Sequence, residues 1–130
     1  MSKKRILLVD DEKSFTNLLK LNLEETGAFE VRVENWAEDA LAAAQAFKPD
    51  LIFLDIIMPR LPGGDVAAQI KADPALRHTP IVFLTAAVRK HQVEENDGII
   101  CDLPCLAKPV TVEAVIDAIR KHTLSASPRP

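Results

Sequence analysis

The feature that most constrains the fold of this chain is an alternation of strand-like and helix-like segments, repeated five times. Short apolar segments predict strands at residues 5–9, 29–34, 51–54 and 81–84, with a last strand inside 99–107. Helix-like segments follow them at 14–26, after 35, at 64–72, at 88–96 and after 111. This alternation is typical of a parallel sheet with helices on both faces, because a crossover between parallel strands needs a connection of helix length. The chain is therefore predicted to be an α/β protein.

Two helix starts carry capping signals. Asn35-Trp36-Ala37-Glu38 matches a capping box, with Asn35 as the N-cap of the second helix. Thr111 occupies the N-cap position of the last helix. Both residues are predicted to bond the free amides of the first helical turn.

Length and charge narrow the class of protein. A chain of 130 residues is large enough for one hydrophobic core, and we expect one domain over 1–124 with a disordered tail at 125–130. The formal net charge of −3 gives no indication of nucleic-acid binding. The apolar run near the start is too short for a signal peptide or a membrane span, and the two cysteines are too few for a disulfide framework. A cytoplasmic location without membrane attachment is the expectation.

Polar side chains follow several of the predicted strands at the point where each ends: Asp10, Asp11, Asp55, Thr85 and Lys108. The carboxyl ends of parallel strands meet at one edge of a sheet, where such sheets bind ligands. Three neighbouring carboxylates repel one another, and Mg²⁺, which prefers oxygen ligands, would relieve that repulsion. A carboxylate can also act as a nucleophile on phosphorus, a reaction that depends on positioning and charge neutralisation.

The same residues resemble a known family. The matching pieces, in order, are Asp10-Asp11, Asp55 with Met58-Pro59 and Gly63, Thr85-Ala86, and Lys108-Pro109. Together they are similar to the receiver domain of two-component response regulators, over roughly residues 4 to 123. The resemblance implies a flavodoxin-like three-layer sandwich, with a five-stranded parallel sheet in the order 2-1-3-4-5 and five helices.

The resemblance also implies a role for each residue. Asp55 would accept a phosphoryl group from a sensor histidine kinase or a histidine phosphotransfer protein. Asp11, Asp55 and the backbone carbonyl of Ile57 would bind Mg²⁺ directly, with Asp10 near the metal, often through water. Lys108 would pair with the phosphoryl group. Pro109 matches a position that in the family commonly follows a cis peptide bond.

Thr85 and position 105 correspond to the switch of the family. Thr85 would hydrogen-bond a phosphoryl oxygen and move when it arrives. An aromatic residue three positions before the lysine then normally fills the vacated space, but this chain has Cys105 there. Cysteine is too small to fill that space, so we expect Thr85 and the loop after it to carry the switch.

The predicted function is a phosphorylation-dependent switch rather than an enzyme. No effector sequence follows the last predicted helix, so we expect a single-domain regulator that binds an output protein. One alternative is a receiver cut from a longer chain. Another is a Mg²⁺-dependent phosphatase with an aspartate nucleophile, but such enzymes place a second acid where this chain has Ile57. A nucleotide-binding domain is disfavoured, because no glycine-rich loop follows the first strand.

Simpler explanations exist for single residues. Asp10 and Asp11 could only cap the first helix. Cys101 and Cys105 have neither zinc-site nor redox spacing, so we expect them to pack as small apolar groups.

Overall fold

The strands lie where the alternation places them. The computed structural model describes residues 3–86, 99–100 and 103–124, with only the backbone described for Thr85, Ile99, Ile100 and Leu124. Within these residues the strands are β1 (Lys4–Val9), β2 (Phe29–Glu34), β3 (Leu51–Asp55), β4 (Ile81–Thr85), β5 (Ile99–Ile100) and β6 (Leu103–Ala107). They form one sheet in the order β2-β1-β3-β4-β6-β5.

Five of the strands are parallel, and they confirm the predicted order 2-1-3-4-5 when β6 is counted as the fifth. The sixth, β5, has two residues and pairs antiparallel with β6, with Ile99 opposite Pro104. The region 99–107, predicted to contain one strand, therefore contains two. Pro104 interrupts the apolar pattern without ending β6, because a strand near the sheet edge tolerates a missing amide donor.

Four α-helices lie in the described residues: α1 (Lys13–Glu25), α2 (Ala40–Phe47), α3 (Gly63–Ala72) and α4 (Val112–Leu124). A short 3-10 helix at Ala37–Asp39 precedes α2. The helix predicted at 88–96, the tail 125–130 and Cys101 lie outside the described residues.

Two hydrophobic clusters cover the two faces of the sheet. In the central strands, alternate side chains point to opposite faces, so Leu7 and Ile52 join one cluster while Ile6 and Phe53 join the other. Helices α2 and α3 pack on the first face, and α1 and α4 on the second. Burial on both faces explains why these strands are continuously apolar, and it gives the predicted three-layer sandwich.

The capping-box prediction at Asn35 is wrong. The helical segment begins after Trp36, and no side chain caps it. Asn35 instead donates its amide Nδ2–H groups to the backbone oxygen of Asp10 (2.7 Å) and to Thr16 Oγ1 (3.1 Å), which ties the end of β2 to the start of α1. The prediction at Thr111 is confirmed, since its Oγ1 accepts the backbone amide of Ala114 at 3.0 Å.

Candidate functional site

Four of the predicted side chains meet at the carboxyl edge of the sheet. Asp10 follows β1, Asp11 comes next, and Asp55 ends β3; one carboxylate oxygen of each lies within 4.8 Å of the others. Lys108 follows β6, and its Nζ lies 2.6 Å from Asp10 Oδ2 and 3.7 Å from Asp55 Oδ2. The parallel register produces this meeting, because it brings the ends of β1, β3 and β6 to one side of the sheet.

Burial makes this a costly place for negative charge. Asp10 is 1% exposed and Asp55 is 6% exposed, whereas Asp11 is exposed to solvent. Burial, followed by repulsion from Asp10, raises the pKa of Asp55 to about 6. Burial also raises the pKa of Asp10, against the opposing effect of Lys108. The structure thus holds acids that gain from a nearby cation.

Lys108 stays charged in this setting. Burial alone would lower the pKa of its ammonium, but the carboxylates of Asp10 and Glu12 outweigh that effect, so the pKa lies above its ordinary value. The Nζ also lies 4.5 Å from the ring centroid of Phe15, which faces the cation with its π-system.

The loop after β3 is held close to Asp55. The backbone amide of Gly63 donates to the Ile56 oxygen at 2.8 Å, and a Cβ at position 63 would lie 2.1 Å from the backbone oxygen of Asp55. Only glycine permits this approach. Met58, 6% exposed, packs into the core beside the loop.

The tip of this loop is tied to the segment after β2. Arg60 has a φ of 74°, and the Leu61 amide bonds the Pro59 oxygen across it at 2.8 Å, as in a γ-turn. The Arg60 guanidinium lies 2.8 Å from Glu38 Oε2 and packs over the ring of Trp36. The segment from Pro59 to Leu61 is thus held by one backbone hydrogen bond and by the side-chain contacts of Arg60.

The remaining predicted residues take different places. The backbone of Thr85 ends β4, paired with Ala107 of β6, and its side chain lies outside the described atoms. Ile57 is two residues beyond Asp55 and its side chain is 62% exposed. Cys105 is not at the edge of the sheet but in the core, 3% exposed and opposite Phe83. The Lys108–Pro109 peptide bond is cis.

Two neighbours of the cluster were missed by the sequence analysis, Glu12 and Phe15. Glu12 Oε1 lies 2.8 Å from Lys108 Nζ, and Phe15 packs against the same ammonium. Glu12 directly follows the aspartate pair, and that adjacency was the signal available in the sequence. The contact itself joins residues 96 positions apart, so local spacing could not show it.

The donor set fits Mg²⁺. Three carboxylates offer oxygen atoms within a few ångströms of one another, which is the chemistry this ion prefers. Asp10 Oδ2 is buried and lies 2.6 Å from Lys108 Nζ, so this carboxylate already faces a cation at the edge of the sheet. Asp10, Asp11 and Asp55 are the residues that could hold the ion.

Residues 6–120 match the sequence profile of the response regulator receiver domain. The chain belongs to the response regulator receiver family. The aspartate pair, the aspartate that ends β3 and the lysine after β6 lie within the matched region, and the fold is the one the resemblance implied.

Relatives of this receiver domain include proteins of different lengths. The polar-differentiation response regulator DivK of Brucella anthropi is 31% identical over 119 residues, which are 92% of this chain and 95% of DivK. The alkaline phosphatase synthesis transcriptional regulatory protein PhoP of Bacillus subtilis is 43% identical over 83 residues, 64% of this chain. That match covers only 33% of PhoP, so the receiver domain resembles one part of a longer regulator.

Solved structures agree with the fold. The chemotaxis protein CheY4 of Vibrio cholerae superposes with a TM-score of 0.78 at 25% identity, covering 92% of this chain and 98% of CheY4. A sensor protein from Polaromonas sp. JS666 superposes with a TM-score of 0.81 at 23% identity, covering 97% of this chain and all of that one. In the part of the chain that the structure describes, no helix is long and apolar enough to span a membrane.

Proposed function

We propose that this receiver domain is a phosphorylation-dependent switch and that Asp55 is its phosphoacceptor. The observation that supports this most is the convergence of Asp55 with Asp10, Asp11 and Lys108 at the carboxyl edge of the sheet. Asp55 offers a nucleophilic oxygen with the Lys108 ammonium 3.7 Å away, and phosphoryl transfer requires such positioning and charge neutralisation.

In the proposed reaction an Asp55 carboxylate oxygen attacks the phosphorus of a phosphohistidine on a partner protein. The new O–P bond forms as the P–N bond breaks, and the histidine nitrogen leaves with the bonding electron pair. With a pKa of about 6, Asp55 is mostly ionised and nucleophilic at neutral pH. Lys108, 3.7 Å away, is placed to pair with a transferred phosphoryl oxygen.

Mg²⁺, when bound, would offset the charge of the phosphoryl oxygens and of the carboxylates. Asp11, Asp55 and the Ile57 carbonyl are the proposed direct protein ligands, with Asp10 acting near the ion. Thr85, at the end of β4, is the proposed hydrogen-bond donor to the phosphoryl group. The domain 1–124 would then act by binding an output protein, with a sensor histidine kinase or a phosphotransfer protein as donor.

A phosphatase acting on general phosphate esters is less well supported. Its second acid would stand at position 57, where an exposed isoleucine can neither donate nor accept a proton. Membership of the receiver family also favours a switch.

Intact-mass measurement with acetyl phosphate tests the proposal. Wild type should gain one phosphoryl group in Mg²⁺ and none in excess chelator. Asp55→Asn keeps the size of the side chain but lacks the nucleophile, so it should gain none. Labelling of Asp55→Asn at the wild-type rate would show that Asp55 is not the acceptor.

A further inference from the structure

The ammonium group of Lys108 lies near three carboxylates in this receiver domain. Lys108 Nζ contacts Asp10 Oδ2 at 2.6 Å and Glu12 Oε1 at 2.8 Å, while Asp55 Oδ2 is more distant at 3.7 Å. In this state, the two residues on the β1–α1 side bind the lysine more closely than the residue we propose as phosphoacceptor.

The backbone of Glu12 is fixed beside the acids. Its amide donates to Asp10 Oδ1 at 2.9 Å, and its carbonyl accepts the amide of Thr16 at 3.1 Å. Glu12 occupies the N-cap position of α1, yet its side chain makes no capping bond. The carboxylate reaches Lys108 instead.

The two close partners of Lys108 differ in how much the loss of the ion pair would cost them. Asp10 is almost fully buried, so a lost partner would leave its charge without compensation. The Glu12 side chain is 60% exposed, so water can replace the lysine as its partner. Glu12 is therefore the contact that an incoming phosphoryl group can displace.

We propose that Glu12 is a positioning residue that holds Lys108 back from the phosphoryl site until the phosphoryl group takes its place. This inference rests on the proposed phosphorylation of Asp55. Phosphorylation would exchange the Glu12 carboxylate for a phosphoryl oxygen at Lys108 Nζ, so the Glu12 contact opposes the reaction. Breaking the contact should speed phosphoryl capture by about two- to fivefold, the range that exposed ion pairs allow.

The test compares initial rates of labelling by acetyl phosphate at saturating Mg²⁺, read by intact mass. Glu12→Gln removes the charge, and Glu12→Asp keeps the charge but is one methylene too short for the contact. Both variants should be faster than wild type. Glu34→Gln, which removes a charge at the end of β2 on the same edge of the sheet, should keep the wild-type rate.

Three outcomes overturn the inference while leaving the proposed function intact. Glu12→Gln and Glu12→Asp at or below the wild-type rate would show that Glu12 does not restrain Lys108. An increase in Glu12→Gln alone would show an effect of net charge instead of contact. An equal increase in the labelling rate of Glu34→Gln would also show an effect of net charge instead of the Glu12–Lys108 contact. Failure of the proposed function looks different: wild type stays unlabelled, or Asp55→Asn is labelled.

Discussion

At the scale of single residues, Asp55 links protonation to stability. Its pKa of about 6 in the folded state lies above the ordinary value of 3.8, because burial and repulsion from Asp10 disfavour the charged carboxylate. Between those pH values the folded state keeps a proton that the unfolded state has released. The contribution of Asp55 to the free energy of unfolding should therefore fall as the pH rises from about 4 to about 6, and that loss persists at higher pH.

The asparagine of Asp55→Asn is uncharged at all of these pH values, so the variant should not lose this part of the free energy of unfolding as the pH rises. In chelator at pH 7.5 we expect it to be more stable than wild type by on the order of 1–3 kcal/mol, with the advantage disappearing below about pH 4. Denaturant unfolding at both pH values measures this. Asp117→Asn, an exposed acid on α4, controls for the loss of one charge. A difference independent of pH would contradict the assigned cause.

Asp11 has a separate expected effect on metal binding. It is the exposed member of the three-carboxylate cluster and a proposed direct ligand. Asp11→Ala should weaken Mg²⁺ binding by more than about tenfold in calorimetric titration. Asp39→Ala, an exposed acid in the 3-10 helix, should bind as wild type does. If the two variants bind Mg²⁺ equally well, Asp11 is not a ligand.

The sequence predicted these acids and Lys108 because each follows a strand, and parallel strands end at one edge. Glu12 and Phe15 were not predictable in the same way. Their contacts with Lys108 depend on side-chain reach across two loops, which spacing along the chain does not encode.

At the scale of elements, two adjacent glycines begin α3, and replacing each with alanine should affect the stability of the fold differently. A Cβ at Gly63 would clash with the backbone oxygen of Asp55 at 2.1 Å, whereas a Cβ at Gly64 meets nothing within 4 Å. Gly63→Ala should destabilise the fold by several kcal/mol, since backbone would have to move. Gly64→Ala should be neutral or stabilise by up to about 1 kcal/mol through helix propensity.

Thermal or denaturant unfolding of both variants distinguishes the two effects, and each variant is the control for the other. Equal stabilities would show that a Cβ at position 63 does not clash with the backbone oxygen of Asp55.

The second prediction at this scale concerns β4 and β6. Cys105 is buried opposite Phe83, and burial raises the pKa of its thiol to about 11, so it packs as a neutral group. A small, already buried side chain offers little change in burial to a switch. Beryllofluoride, a phosphoryl mimic, should change hydrogen exchange most at residues 85–97, and Cys105→Ala should keep most of that change. Loss of the response in Cys105→Ala, while acetyl phosphate still labels Asp55 of that variant, would make Cys105 an active part of the switch.

Strands were predicted well where the sequence had a continuous apolar run or a clear apolar–polar alternation. β2 has the predicted bounds, and the predicted apolar cores of β1, β3 and β4 lie inside the observed strands. Asn35 was misassigned because the tertiary contacts with Asp10 and Thr16 satisfy its amide, and these outweigh the local capping pattern. The division of 99–107 into β5 and β6 depends on pairing between the two, which the apolar pattern does not distinguish from one strand.

At the scale of the whole molecule, metal binding should appear as stability. A ligand that binds only the folded state adds about 1.4 kcal/mol to the free energy of unfolding for each tenfold rise in its concentration above Kd. Mg²⁺ should therefore raise the melting temperature of wild type, and Asp11→Ala should respond only at higher concentrations. A wild-type melting temperature that is unchanged by Mg²⁺ would contradict a site on the folded domain.

The alternation of segments was enough to predict the layers and the parallel sheet, because helices of this length must cross between parallel strands. The order 2-1-3-4-5 came with the family resemblance. It could not come from periodicity, because β1 pairs with both β2 and β3 through contacts distant in sequence. The position of the site follows from that order.

The most direct test of the central claim is to locate the phosphoryl group on the chain. After reaction with acetyl phosphate and Mg²⁺, borohydride reduces an aspartyl phosphate to homoserine, and peptide mass spectrometry then identifies the modified residue. We expect the change at Asp55 alone, and not at the neighbouring Asp10 or Asp11. Modification at another residue, or a labelled protein with Asp55 unchanged, would contradict the assignment of Asp55 as the phosphoacceptor of this receiver domain.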